Sequence, residues 1–107
     1  MHATYKKMLS RMKEKETAYG KIAEEWFVYI LQCKDGTLYT GITNDLARRF
    51  KMHNDGKASR YTRTRRPVEL LYHEPCESRT QALVRECVVK AFPRKKKEEL
   101  IAAALLE

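Results

Sequence analysis

The chain has 107 residues, 43% of them hydrophobic, and carries 22 Lys and Arg against 14 Asp and Glu, a formal charge of +8. That size suits one small domain with a single core and leaves no room for a second, and the charge favours a polyanionic partner, nucleic acid before an anionic membrane surface. The longest apolar run, Leu100 to Leu106, falls far short of the about 18 residues of a spanning helix, so a helical membrane protein is excluded.

The N-terminus mixes Lys6, Lys7, Arg11, Lys13, Glu14 and Lys15 with no apolar stretch, so a secretory signal is not expected and a cytoplasmic address is. Cys33, Cys76 and Cys87 are odd in number and form no C-x-x-C pair, so neither a disulfide framework nor a zinc ribbon is expected. They read as reduced apolar fillers.

Residues 1 to 24 read as an appended helix, with Tyr5, Met8, Leu9 and Met12 on one stripe before Gly20. The domain proper is expected over 25–107. Two β-branched and aromatic runs follow, Trp26 to Cys33 and Thr37 to Ile42, joined by Lys34-Asp35-Gly36 in a hairpin. Loop length decides where the tyrosines fall. A two-residue Asp-Gly loop puts Tyr29 and Tyr39 on opposite faces of the sheet. A three-residue loop with Gly36 as a bulge sets Tyr39 opposite Leu31, diagonal to Tyr29 and on the same face; this is the loop expected.

Thr43-Asn44-Asp45 starts a helix, with a capping side chain and an acid in the first turn. Leu46, Phe50 and His53 form its inward stripe, and Arg49 joins that stripe while Arg48 points away. Asn54-Asp55-Gly56 ends it. Lys57 to Arg66 reads as a loop with five cations and no acid, Val68 to His73 as a third strand, and Pro75 as a break. Arg79 to Phe92 reads as a helix with an apolar stripe of Leu83, Cys87 and Ala91. Pro93 opens a last helix whose stripe is Leu100, Ile101, Ala104 and Leu105. The resulting β-β-α-β-α-α order is a small α+β domain, a three-stranded antiparallel sheet flanked by helices, with an extra N-terminal helix.

Tyr29, Tyr39, Arg49 and His53 are residue types that suit phosphodiester cleavage: a tyrosine to take a proton from water, and a planar guanidinium to hold charge on phosphorus. Each has an ordinary reading too. Strand tyrosines pack, a helix arginine joins an ion pair, and a histidine near a helix end is structural. Glu86 falls on the inward side of its helix, where its partner is either Lys90 four residues on or a hydrated Mg²⁺. Lys57, Arg60, Arg63, Arg65 and Arg66 with Tyr61 among them suit tracking a phosphate backbone, Tyr61 stacking on an unpaired base; Lys90 joins that set. Arg94 to Lys97, followed by Glu98 and Glu99, reads as a solvated helix start.

Taken together, V-Y-I, Y-T-G-I-T, N-D-L-A-R-R-F-K-M-H and R-E-C-V-V-K, spread over residues 26 to about 100, resemble the GIY-YIG nuclease superfamily, most of all its small stand-alone bacterial members. The resemblance implies hydrolysis of phosphodiesters in DNA, or in RNA, with a single divalent metal, Mg²⁺ or Mn²⁺. Carried over by position, Tyr29 and Tyr39 match the signature tyrosines, Gly41 the glycine of the second half, Arg49 the helix arginine, Glu86 the metal-binding carboxylate, and His53 a histidine of some members. Phe27 stands where the first signature glycine falls, and Ile42 where some nucleases place a lysine or histidine. DNA repair is a process that the resemblance suggests, and a protein partner or the structure of the DNA is expected to direct so small a domain. The rival reading is a nucleic-acid-binding module without turnover; a third is an adaptor docking through its N-terminal helix.

Overall fold

The computed structural model describes residues 25–106, so the helix expected over residues 1 to 24 lies outside the described residues. Among those described, β1 (Trp26–Gln32) and β2 (Leu38–Thr43) precede a helix α1 (Leu46–Asn54) and a single-turn helix α2 (Arg60–Arg63). Strand β3 (Glu69–Cys76) and helices α3 (Arg79–Ala91) and α4 (Arg94–Leu105) complete them. The strands make one antiparallel sheet in the order β2-β1-β3. The expected α+β architecture is therefore found, with α2 an addition to the expected order. The segment read as a basic loop folds into that turn because the Ser59 hydroxyl accepts the Thr62 N–H at its N-terminus.

The hairpin has the three-residue loop. Gly36 sits at φ +85°, a conformation that a side chain disfavours. Around it Gly36 N–H donates to Cys33 O at 2.9 Å and Cys33 N–H to Thr37 O at 2.8 Å. Tyr39 consequently pairs with Leu31 and Tyr29 with Gly41, which puts both tyrosine side chains on one sheet face.

β1 is the central strand, and Phe27 through Leu31 are all buried, as expected of a strand covered on both faces. On one face Tyr29, Leu31 and Cys33 pack with Leu46, Val68 and Leu70, and Tyr39 and Phe50 lie against them. On the other, Val28 and Ile30 pack with Ala82, Val89 and Ile101.

Several sequence expectations are corrected. Asp45 is itself the cap of α1, accepting Arg48 N–H at 3.1 Å, and no acid stands in the first turn. The stripe Leu83, Cys87 and Ala91 of α3 is exposed; Ala82 and Val89 are buried, with Arg85 and Glu86 half-buried beside them. Beside this buried stripe Arg85 donates to Glu74 of β3 at 2.9 Å. In α4 only Ile101 is buried and Leu100 half-buried, while Ala104 and Leu105 face solvent. Cys33 is a buried filler but Cys87 is exposed. Pro75 does not break the chain; it lies within β3, an edge strand that does not need its missing N–H.

Candidate active site

Tyr29 is 3% exposed at the middle of β1, and its ring lies across Gly41 of the neighbouring strand. A Cβ at position 41 would stand 2.5 Å from Tyr29 Oη, so Gly41 is required for the phenol to lie flat over β2. This gives a physical reason for a glycine identified from the sequence by family likeness. The hydroxyl then reaches α1, where Tyr29 Oη is 2.8 Å from His53 Nε2. His53 is 1% exposed, held in place because Leu46 and Phe50 of the same stripe enter the core. Its other ring nitrogen, Nδ1, lies 2.8 Å from the buried Thr62 Oγ1 of α2.

Tyr39 completes an aromatic cluster. Its ring centroid is 6.5 Å from that of Tyr29 and 5.2 Å from that of His53, and it stacks on Tyr61 at 6.0 Å. Tyr39 is half-buried, so of the two tyrosines it stands closer to solvent.

Burial dominates the proton affinities. It raises the Tyr29 phenol well above its ordinary value; the neighbouring Tyr39 and, least, the Glu86 carboxylate push the same way, while the Arg49 guanidinium opposes them. Burial and then Arg49 lower His53 to about 4, so the imidazole is neutral at physiological pH. The charges of Arg49 and Glu86 thus both reach Tyr29, from α1 and α3 respectively. Arg49 is half-buried and, among the described residues, has no hydrogen bond or ion pair. Glu86, its side chain 18% exposed, meets Lys90 at 3.5 Å. No hydrogen bond joins Glu86 to either tyrosine.

The donor set bears on a metal. Among the described residues no group of three or more His, Cys, Asp or Glu gathers to hold an ion. A single partly buried carboxylate fits a hard divalent cation that keeps most of its water and takes phosphate oxygens; it does not fit zinc.

The cationic segment divides in two. Arg65 Nε donates to Asp35 at 3.0 Å, its Nη1 to Tyr61 O at 2.8 Å, and its guanidinium lies 3.9 Å over the Tyr61 ring. Arg66 Nε donates to Arg63 O at 2.9 Å, and its guanidinium packs against Gly56. Both hydrogen-bond within the turn around α2. With Arg65 over it and Tyr39 stacked against it, Tyr61 also has less open face for a base than its sequence position implies. Lys57, Arg60 and Arg63 are exposed, and among the described residues their side chains pair with nothing. Arg63 lines a surface groove of about 440 Å³ with Asn54, Thr64, Arg66 and Pro67.

Two residues near the site escaped the sequence reading. Thr62 is reached only through the fold of α2. His73, opposite Tyr29 on β3, has both ring nitrogens buried without a partner among the described residues and packs edge-on against Phe27. Neither carried a local signal, since each depends on pairing distant in sequence.

Comparison with known proteins places the chain among relatives. A family profile described as the GIY-YIG catalytic domain matches residues 25–99. A UPF0213 protein of Desulfotalea psychrophila is 52% identical over 80 residues, 74% of this chain and 73% of that one. A UPF0213 protein of Staphylococcus saprophyticus is 44% identical over 79 residues, 74% of this chain and 96% of that one. A protein of E. faecalis solved by solution NMR is 35% identical, covering 78% of this chain and 88% of that one, with a TM-score of 0.54. The chain belongs to the GIY-YIG family of nuclease-like domains.

Proposed function

We propose that the protein is a metal-dependent endonuclease hydrolysing phosphodiester bonds in DNA, with RNA the second choice of substrate. The observation that supports this most is the Tyr29–His53 contact at 2.8 Å, with the Tyr39 ring beside both. A neutral imidazole aimed at that hydroxyl, beside a second tyrosine, is a group able to take its proton.

In this reading Tyr29 takes the proton of the attacking water while its own proton passes to His53. Burial opposes each charge separately, but a phenolate beside an imidazolium is a pair, and the pair costs less than either ion alone. Tyr39, nearer solvent, orients the water. Arg49, with no protein anion to hold among the described residues, offers both N–H forks to the scissile phosphate. Glu86 would hold a Mg²⁺ or Mn²⁺, which when bound supplies charge neutralisation at the phosphate. Lys57, Arg60 and Arg63 face the backbone of the nucleic acid, and Lys90 beside Glu86 adds charge next to the site. Residues 25–107 act as the catalytic domain and 1–24 as an extension. No helix among the described residues is long and apolar enough to cross a membrane, and a cytoplasmic enzyme of DNA repair, directed by a protein partner, is the setting we assign.

Purified protein assayed on branched, single-stranded and duplex DNA, with and without Mg²⁺ and beside Glu86→Ala and Tyr29→Phe, tests the proposal. Metal-dependent cleavage lost in both variants is expected. Salt-sensitive binding without cleavage would make the chain a binding module instead.

A further inference from the structure

Thr62 is 0% exposed, and the chemistry above makes no use of it. Its Oγ1 stands 2.8 Å from His53 Nδ1 and 3.0 Å from Ser59 Oγ, and its N–H donates to that same Ser59 hydroxyl at 3.1 Å. We infer that Thr62, held by Ser59, is a positioning residue that fixes His53 as its Nδ1–H tautomer, so that the Nε2 lone pair faces the Tyr29 hydroxyl. The kinetic consequence rests on the function proposed above; the tautomer is a property of the folded chain.

A neutral imidazole between two hydroxyls has two arrangements. In one, Nδ1–H donates to Thr62 Oγ1 and Nε2 accepts from Tyr29 O–H. In the other, Nε2–H donates to Tyr29 Oη and Thr62 O–H donates to Nδ1. Thr62 is satisfied in both, because Ser59 Oγ at 3.0 Å can give or take a proton. Tyr29 is not. Its hydroxyl has His53 as its hydrogen-bond partner and the residue is 3% exposed, so in the second arrangement the phenol O–H has no protein acceptor among the described residues. The first arrangement leaves no orphan, and it is also the one in which His53 can accept the phenol's proton.

The short helix is placed to enforce this. Tyr61, the residue before Thr62, stacks on Tyr39 at 6.0 Å, so adjacent residues of α2 touch both His53 and the second tyrosine. Arg65 fastens the end of the turn to the hairpin through Asp35 at 3.0 Å, and Lys34 N–H donates to Arg65 O at 2.9 Å. Losing the Thr62 hydroxyl leaves Nδ1–H without an acceptor and relaxes the ring toward the Nε2–H form that free histidine favours. That form cannot accept from Tyr29.

The test is long-range ¹H–¹⁵N NMR of the His53 imidazole in the full chain, run beside the cleavage assay for wild type, Thr62→Val and Thr62→Ser. Wild type and Thr62→Ser are expected to show a protonated Nδ1 and a bare Nε2, and Thr62→Val a loss of that single tautomer. Cleavage is expected to fall by at least about tenfold in Thr62→Val and to be restored in Thr62→Ser. A wild-type ring protonated at Nε2 overturns the inference, as does a Thr62→Val protein that keeps both tautomer and rate. Should Thr62→Val fail to fold, the wild-type spectrum decides alone. Should no form cleave DNA, the spectra still decide the tautomer, while the proposed function fails separately.

Discussion

The two faces of the sheet are built on opposite principles although one strand supplies both. From β1, Val28 and Ile30 enter a layer with Ala82, Val89 and Ile101 that is apolar at its centre, with Thr40 buried opposite Ile30 and a Tyr72–Glu74–Arg85 cluster beside it. Tyr29, between them in sequence, enters a layer where a phenol, an imidazole and a threonine hydroxyl form a continuous polar thread through otherwise apolar packing. The first face is held by area removed from water. The second gives up some of that gain to bury groups that must remain hydrogen-bonded, and is justified only by what those groups do. Stability is therefore expected to reside chiefly on the α3 and α4 side, and proton chemistry on the α1 and α2 side, with Glu86 the contribution of α3 to the proposed site.

The largest stability effect sharpens this division. Ile30→Ala removes a fully buried side chain from the apolar face and is expected to cost about 2 to 5 kcal/mol in urea unfolding. If the protein still folds, its His53 resonances should be unchanged, and a perturbed imidazole would show that the faces are coupled.

Next in size is a pH effect confined to the polar face. His53 sits at about 4 in the folded chain, below the roughly 6.5 of an unfolded histidine, so as pH falls the unfolded state takes up the proton first. The contribution is whole above about 6.5 and lost by about 4, on the order of 3 kcal/mol. His73, lowered by burial, shifts in the same direction and adds to the loss. Asp35 and Asp55, whose carboxyls are lowered mainly by hydrogen bonds from Thr37 and Lys51, lose their contributions only at more acid pH. Unfolding midpoints between pH 7 and 4 should thus fall less steeply in His53→Gln than in wild type; equal slopes would contradict the burial argument.

Smaller effects separate the arginines. Arg60→Ala and Arg63→Ala should each weaken DNA binding and reduce its salt slope by about one, leaving stability unchanged. Arg66→Ala, which loses a bond to Arg63 O, should cost about 1 kcal/mol of stability. A salt slope that falls equally for Arg66→Ala would mean its brace is not its role. The smallest is Asp45→Ala, about 1 kcal/mol or less through loss of the α1 cap, with the thread intact.

What could be read in the sequence follows the same division. The hairpin register was legible because Gly36 dictates its own turn, and the register alone put Tyr29 and Tyr39 together. Leu46, Phe50 and His53 were legible as one stripe because α1 obeys its 3.6-residue period. The rotation of α3 was not, since Leu83, Cys87 and Ala91 are as regular as Ala82 and Val89, and packing against β1, distant in sequence, decides between them. Thr62 was missed because the segment reads as a loop and nothing local shows that α2 turns back on His53. The division of the cations was equally hidden, for Arg65 and Arg66 differ from Arg60 and Arg63 only in what the fold sets beside them.

The most direct measurement is single-turnover cleavage and urea stability on the same Tyr29→Phe preparation. Removing one hydroxyl leaves the ring's packing in place and His53 Nε2 without its donor, so stability should fall by only about 1 kcal/mol. Cleavage should fall at least about 100-fold. A variant that cleaves at the wild-type rate contradicts the account, because the thread from Tyr29 through His53 to Thr62 would then be packing and nothing more.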